Sequence, residues 1–576
     1  MKLKTMTIFA AVMLAACSLN AAGRASLLKK NSDVVLNISD ISEIGDALKT
    51  TSFGNLWNDP AFQKAIGEYD LEKTIKEGMF SELSEEQQHL YWEEIRMLKG
   101  CIALAVNISG KTFTLAAEMS EDDFKRSLIM DRRLTELEPE NKMIIRKENY
   151  QGTDIYAHLY ENNADGNSWQ AFIGNTLILS NDEKWIKKSI ARLKKSPITA
   201  NGNKTPSITL DIQIKSILDN ILKEYEDAMA KEAGQNPDSP MAMPAVSPTK
   251  IIDAAGLSDL TKLHLSVKIH KDRIVSDSLV TIKKPLTGLL SISDLSPSSL
   301  NLRLPYAPES IISYEISRLN LLALWQQIPQ MITKGAPETI APQLNAGLMG
   351  MAAILGVDPG RDLFAHLDTQ YAAIFVDSNP EPEGLYFLRI KDETALNASM
   401  QRMFDDAGML RLQLGEKFKI ESFRDADIYE FKMGETNGSF AVTAEAGYLV
   451  MGSGKIIRQY LRAVDSDNPA NQAFYKSRLY AELRTKTPAK ACGYSAMDIG
   501  KYVKVFLGMI VDNPALKGLT AANNPANKNN PFPNFDMSKL PSAEYMSKFF
   551  GASFGYAVPT ASGIKSRSVI YYGKNK

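Results

Sequence analysis

The feature that most constrains this chain is an internal repeat, in which patterns of the first half recur in the same order about 270 to 290 residues later. Val34, Leu36 and Ile38 alternate as a strand and lead through Ser39 into an apolar helical pattern. Ile312, Tyr314 and Ile316 do the same through Ser317. Ile102 to Val106 then corresponds to Ala372 to Val376, and Phe113 to Met119 to Leu385 to Lys391. Ser120-Glu121 and Asp392-Glu393 read as the helix N-termini that follow. Asp154-Ile155-Tyr156 and Asp427-Ile428-Tyr429 mark a hairpin in each half. Thr176 to Ser180 and Tyr448 to Gly452 are strands running into helices over 184–193 and 455–463. Leu263 to Ile269 with Ile274 to Ile282, and Ala552 to Val558 with Ile564 to Tyr572, close the halves as strand pairs. Strands come in consecutive pairs without steady βαβ alternation. The expected fold is therefore α+β, with two homologous lobes from a tandem duplication, each a largely antiparallel sheet with helices packed on one face. The lobes are placed at 26–285 and 308–576, with a linker over 286–307. With 576 residues the chain is long enough for two separate cores.

Residues 1–22 read as an address. Lys2 and Lys4 precede an apolar run from Met6 to Ala16 and a series of small residues, the three-part pattern of a secretory signal. Leu14-Ala15-Ala16-Cys17 also resembles a bacterial lipobox, in which Cys17 becomes the lipidated first residue; cleavage near Ala21 or Ala22 is the alternative. An exported protein is expected either way, in the periplasm, at the outer membrane if lipidated, or outside the cell. Lys plus Arg is 66 against 67 for Asp plus Glu, so no global field draws nucleic acid or anionic lipid. No nucleic-acid partner is expected, and membrane contact only through an anchor at Cys17. The longest later apolar run, Leu344 to Val357, contains Asn345 and three glycines and does not read as a membrane span. Cys101 and Cys492 each open an apolar run and read as free thiols inside the fold.

Each chemical motif has a structural explanation. Gly551-Ala552-Ser553-Phe554-Gly555 matches a hydrolase elbow in spelling, but its alternation is that of a strand interior. Gly452-Ser453-Gly454-Lys455 opens a helix without the remaining residues of a phosphate loop, and capping explains it better. His89, His158, His264, His270 and His366 lack the spacing of a helical zinc pair, so no metal site and no organic cofactor are expected. His264 and His270 fall on a solvent-facing strand side, and the lysines of 184–195 on a solvated helix face whose buried stripe is Trp185, Ile186, Ile190 and Leu193. Aspartic proteolysis is the one reaction the duplication makes conceivable, because two lobes can each supply a carboxylate. Asp377, in Phe375-Val376-Asp377-Ser378, is the candidate catalytic residue, although Asn379 stands where a glycine is usual and the matching first-half position is near Asn107. Asp154 with Asp427 and Asp211 with Asp498 are symmetric pairs whose expected roles are turn stabilisation and helix capping.

Leu27-Leu28-Lys29-Lys30-Asn31-Ser32-Asp33 before a strand, and Phe53-Gly54-Asn55-Leu56-Trp57-Asn58-Asp59-Pro60 after it, resemble a family of exported bacterial proteins of unknown function. The resemblance extends to signal peptide, size and mixed α/β pattern, and implies no catalytic residues. The expected function is that of an exported envelope or secreted binding and scaffold protein using a cleft between its lobes. Its ligand would be an envelope or extracellular component, protein or glycan. The alternative is a secreted aspartic-type endopeptidase acting on extracellular or mucin-like protein.

Overall fold

The computed structural model describes residues 24, 26–28, 32–66, 80, 83–137, 143–161, 166–198, 207–235, 247–296, 300–301, 303–378, 382–405, 408–424, 426–432, 439–512 and 540–573. The signal segment 1–22 with Cys17, and Asn379, lie outside the described residues. The chain forms two compact units: Met1–Ile217 with Lys262–Ser278 and Ile510–Tyr545, and Leu218–Thr261 with Leu279–Met509 and Met546–Lys576.

In the first unit the strands are β1 Val34–Ile38, β2 Ile102–Asn107, β3 Thr112–Glu118, β4 Met143–Tyr150, β5 Thr153–Tyr160, β6 Ser168–Ile173, β7 Thr176–Ser180 and β8 Ser207–Ile212. They continue into β9 Leu260–Ile269 and β10 Arg273–Ile282, which belong to this unit over Lys262–Ser278. Pairing gives the order β4-β5-β6-β7-β3-β2-β1-β8-β9-β10, with antiparallel registers from β4 to β9. The strand Ile102–Asn107 reads IALAVN and buries its first four residues in succession, so both of its faces must be covered. Helix Glu183–Lys195 covers one face, setting Trp185, Ile186 and Ile190 against Ile155, Ala171 and Ile178. Asp182 caps that helix by accepting from the Lys184 and Trp185 N–H groups at 3.0 and 3.3 Å. Its basic residues point away from this stripe, as their spacing predicts. On the opposite face Met97 and Phe124, from helices Glu85–Met97 and Glu121–Leu137, pack against Leu177 beside Tyr156 and Phe172.

The second unit contains β11 Ile311–Arg318, β12 Leu367–Val376, β13 Glu383–Ile390, β14 Phe418–Phe423, β15 Ala426–Lys432, β16 Ser439–Glu445, β17 Tyr448–Gly452, β18 Gly493–Asp498, β19 Phe550–Thr560 and β20 Gly563–Tyr572. The order is β14-β15-β16-β17-β13-β12-β11-β18-β19-β20, antiparallel throughout. Strand for strand this is the order of the first unit. Helices Gly454–Val464 and Arg478–Lys486 bury Ile456, Tyr460 and Leu483 against Ile374, Phe387, Ile428 and Val450. Helix Glu393–Met403 sets Leu396 and Met400 on the other face, with Leu388, Tyr429 and Ala444.

Both units are thus α+β with large antiparallel sheets, but helices cover both faces of each sheet rather than one. Consecutive pairs of strands suggested a single covered face; the cause of the difference is side-chain pattern. Runs such as Ala372-Ala373-Ile374 are buried without alternation, and a wet face would leave half of each run in water. Phe387 is fully buried between Tyr448 and Tyr460, with ring centroids 5.9 and 5.8 Å away. Phe387→Ala should lower unfolding free energy by about 3–5 kcal/mol. Chemical denaturation checks this: the midpoint should fall with an unchanged slope.

Candidate interaction surface

Between β11 and β12 of the second unit, residues 319–357 carry only two charged side chains, Lys334 and Glu338. Both lie near the bend between two helices, Leu321–Gly335 and Ala341–Leu355. Asn320 starts the first helix by accepting from the Ala323 N–H at 2.8 Å, and Ala336 N–H closes it onto the Ile332 carbonyl at 2.9 Å. Pro342 occupies the first turn of the second helix, where a missing N–H costs nothing, and Gly356 ends it at φ 70°. The Asn345 side-chain amide donates to Thr333 Oγ1 at 3.1 Å and ties the pair together.

The first helix is anchored by Leu321 beside the cluster of Leu367, Leu388 and Leu396, and by Trp325, whose ring meets Phe364 edge-on at 5.9 Å. The second helix buries only Ala341. Its outer side presents Leu344, Met351, Ile354 and Met349, the last 79% exposed. Helix Met409–Leu414 lies against it and adds Met409 and Leu412, 55% and 71% exposed. A Cβ on Gly347 or Gly350 would meet no atom within 4 Å, so neither glycine is required by packing inside the unit. Exposed apolar residues are ordinary when scattered; six large ones on two touching helices form a patch of the kind that marks an interaction site.

The residues expected to carry chemistry are used structurally. Asp377 follows the last residue of β12, its N–H donating to the Ser310 carbonyl at 2.9 Å and its side chain exposed. Among the described residues no hydrogen bond joins it to a second carboxylate. Asp154 and Asp427 occupy matching hairpin positions, Asp154 held by Lys147 at 2.7 Å and Asn149 at 3.1 Å, Asp427 accepting from Ser422 at 2.8 Å. Asp498 caps helix Ile499–Asp512 through the Lys501 N–H at 2.9 Å, whereas Asp211 pairs across strands with Lys262 and His264 at 2.9 and 3.0 Å. Ser553 sits inside β19 opposite Met497 and Ile570, where no elbow can form. Cys101 and Cys492 are free thiols, half-buried and buried, and burial is the leading cause that raises both pKa values.

Helix Gly454–Val464 begins as capping predicts, with Ser453 accepting from the Ile456 N–H at 3.3 Å. Lys455 is neutralised by Glu383 at 2.9 Å, and the Gly454 N–H meets Ser439 Oγ at 3.3 Å. The protein's own carboxylate, Glu430, reaches this end: a Cβ on Gly454 would stand 2.0 Å from its Oε1. Burial alone would raise the Glu430 pKa, but donors from Lys419 at 2.8 Å, Ser439 and Arg458 at 2.9 Å outweigh it and hold the value at about 2. A buried polar group in the first unit was not legible in the sequence. There the Gln170 amide donates to Asp131 Oδ2 at 2.9 Å, and His158 Nε2 lies 3.4 Å from the same oxygen.

Comparison with known proteins adds little chemistry. The profile of a family described as "Protein of unknown function (DUF3352)" matches residues 129–407. No curated protein matches. Crystal form I of TP0453 is similar over 48% of this chain and 83% of its own, with 9% identity and a TM-score of 0.24. Crystal form IV covers 45% and 80%, with 10% identity and a TM-score of 0.21.

Because the folded-state pKa of Glu430 lies below its ordinary 4.5, its contribution to stability is present above that pH and is lost as pH falls toward 2. Glu430→Gln should cost on the order of 2 kcal/mol at neutral pH and remove this part of the acid slope. Thermal unfolding from pH 6 to pH 2, wild type against variant, measures both effects.

Proposed function

We propose that this chain is an exported binding or scaffold protein of the cell envelope or exterior that engages its partner through helix Ala341–Leu355 and its neighbour Met409–Leu414. The carrying observation is the exposed apolar surface of these helices, with Met349 79% and Leu412 71% exposed; Ala341–Leu355 has no charged side chain, and Met409–Leu414 has one, the half-buried Arg411, which lies over the Phe418 ring. Burying such side chains is worth roughly 1.5–3 kcal/mol each, so contact with an apolar partner is favoured and water is the poorer environment. Export is supported by the pattern of residues 1–22, and lipidation at Cys17 would hold the surface near a membrane. A glycan is the least suited of the envelope ligands, since Gln343 is the sole exposed polar side chain on the longer helix.

The reading extends to ancestry. An α+β module of roughly half the chain was duplicated in tandem; the identical order of ten strands in the two units supports this, together with the spaced sequence matches. Between its first two strands the first module has charged helices, Ile41–Lys49 (with Glu43, Asp46 and Lys49) and Glu85–Met97, beside the short uncharged Ser52–Trp57, while the second carries the longer apolar pair at that place. Binding is assigned to the module that carries the apolar pair.

The purified mature chain should be retained by immobilised envelope extract, and the double variant Met349→Glu/Leu412→Glu should lose that retention at least about tenfold while melting within a few degrees of wild type. Equal retention of wild type and variant would remove this surface from the function.

A further inference from the structure

We infer that the partner of this surface is the acyl layer of a phospholipid bilayer, on which helix Ala341–Leu355 lies flat. The inference rests on the binding role proposed above and names the chemistry of the partner. Three properties of the helix select lipid. First, Ala341–Leu355 has no ionisable side chain, so it offers nothing for charge pairing with a protein or a headgroup. Second, its exposed side chains supply one hydrogen-bonding group, Gln343, whereas protein interfaces use about one hydrogen bond per 100–200 Å². An acyl layer needs none. Third, its fifteen residues make a rod about 22 Å long and about 10 Å wide. With the neighbouring Met409–Leu414 the strip is on the order of 300–400 Å², still well short of the roughly 800 Å² per partner of a stable dimer. Insertion into a bilayer surface has no such threshold, since its strength scales with the apolar area immersed.

Length sets the orientation. About 22 Å is less than the ~30 Å hydrocarbon core, and no helix among the described residues is long and apolar enough to cross a membrane. The helix therefore lies in the interface, immersing Leu344, Met349, Met351 and Ile354 to a depth of roughly 5–10 Å, with Met409 and Leu412 beside them. Unbranched methionine side chains suit a fluid layer because they adapt to irregular packing. Gly347 and Gly350 leave the middle of the outer side low, so acyl chains approach the backbone there. This contact is additional to any lipid anchor at Cys17 and differs from it in being built by the fold.

The absence of charge on helix Ala341–Leu355 gives the test its sharpest arm. The mature chain carrying Cys17→Ser, which removes the anchor, should float with phosphatidylcholine vesicles. It should float equally with vesicles containing phosphatidylglycerol, and equally at low and high salt. Met349→Glu/Leu412→Glu should reduce flotation at least about tenfold. Fluorescence of a Met349→Trp variant should be quenched by bromine-labelled acyl chains, and that of an Arg478→Trp control, on the helix covering the opposite face of the same unit's sheet, should not. The inference is overturned by no flotation in any condition, by flotation that requires phosphatidylglycerol and disappears in salt, or by flotation unchanged in the double variant. A vesicle-free dimer lost in the double variant would assign the surface to a second copy instead. If vesicles fail while retention on envelope protein persists and is lost in the double variant, the lipid inference falls and the binding role stands; if retention is also unaffected, both fall.

Discussion

The structure depends on strands that are apolar at successive positions. In β2, Ile102, Ala103, Leu104 and Ala105 are all buried, and in β12 Ala372, Ala373 and Ile374 repeat the condition. Neighbouring residues of a strand face opposite sides, so such a run cannot be satisfied by one layer of helices. The chain therefore needs a helix for each face: Glu183–Lys195 opposite Glu121–Leu137 in the first unit, and Gly454–Val464 opposite Glu393–Met403 in the second. Once these four are in place, a helix whose apolar side chains still face water has not been recruited to the core.

That is the position of Ala341–Leu355. Two glycines inside a helix cost about 1 kcal/mol each relative to alanine, and here no close packing inside the unit offsets the cost. Its neighbour Leu321–Gly335 has a clear structural task, since Trp325 and Leu321 join it to the cluster under Phe364. The pair thus divides into a helix that holds and a helix that is held out. Beyond the buried Ala341, the second packs only through a half-buried stripe of Asn345, Leu348, Ala352 and Leu355, and leaves Leu344, Met349, Met351 and Ile354 in water.

Much of the strand plan was legible because its signal is local: Thr176 to Ser180 and Tyr448 to Gly452 read as the strands that form, and the cap at Asp182 and the stripe from Trp185 to Leu193 follow from spacing. Two-faced coverage was less accessible, because a short apolar run reports burial without saying what lies on each side. The apolar surface was visible only as composition. Leu344 to Val357 looks the same in sequence whether it fills a core or faces water, and three-dimensional neighbours alone distinguish the two. The Asp131, His158 and Gln170 group was hidden for a related reason: its members come from a helix and two strands, and nothing in their spacing brings them together.

The symmetric acids show how to separate structural from chemical need in a chain of this kind. Asp154 and Asp427 stand at the same point of corresponding hairpins, yet one is held by Lys147 and Asn149 and the other by Ser422. A turn tolerates this exchange because any suitably placed donor stabilises it. A reaction does not, since proton transfer depends on the partner's pKa as well as its position. Asp211 and Asp498 diverge further, one bound across strands by Lys262 and His264 and the other capping a helix. Features shared by the two units with interchangeable partners thus belong to folding. What the units do not share, a helix pair in the second with two charges in 39 residues, is where a function beyond folding has room to reside.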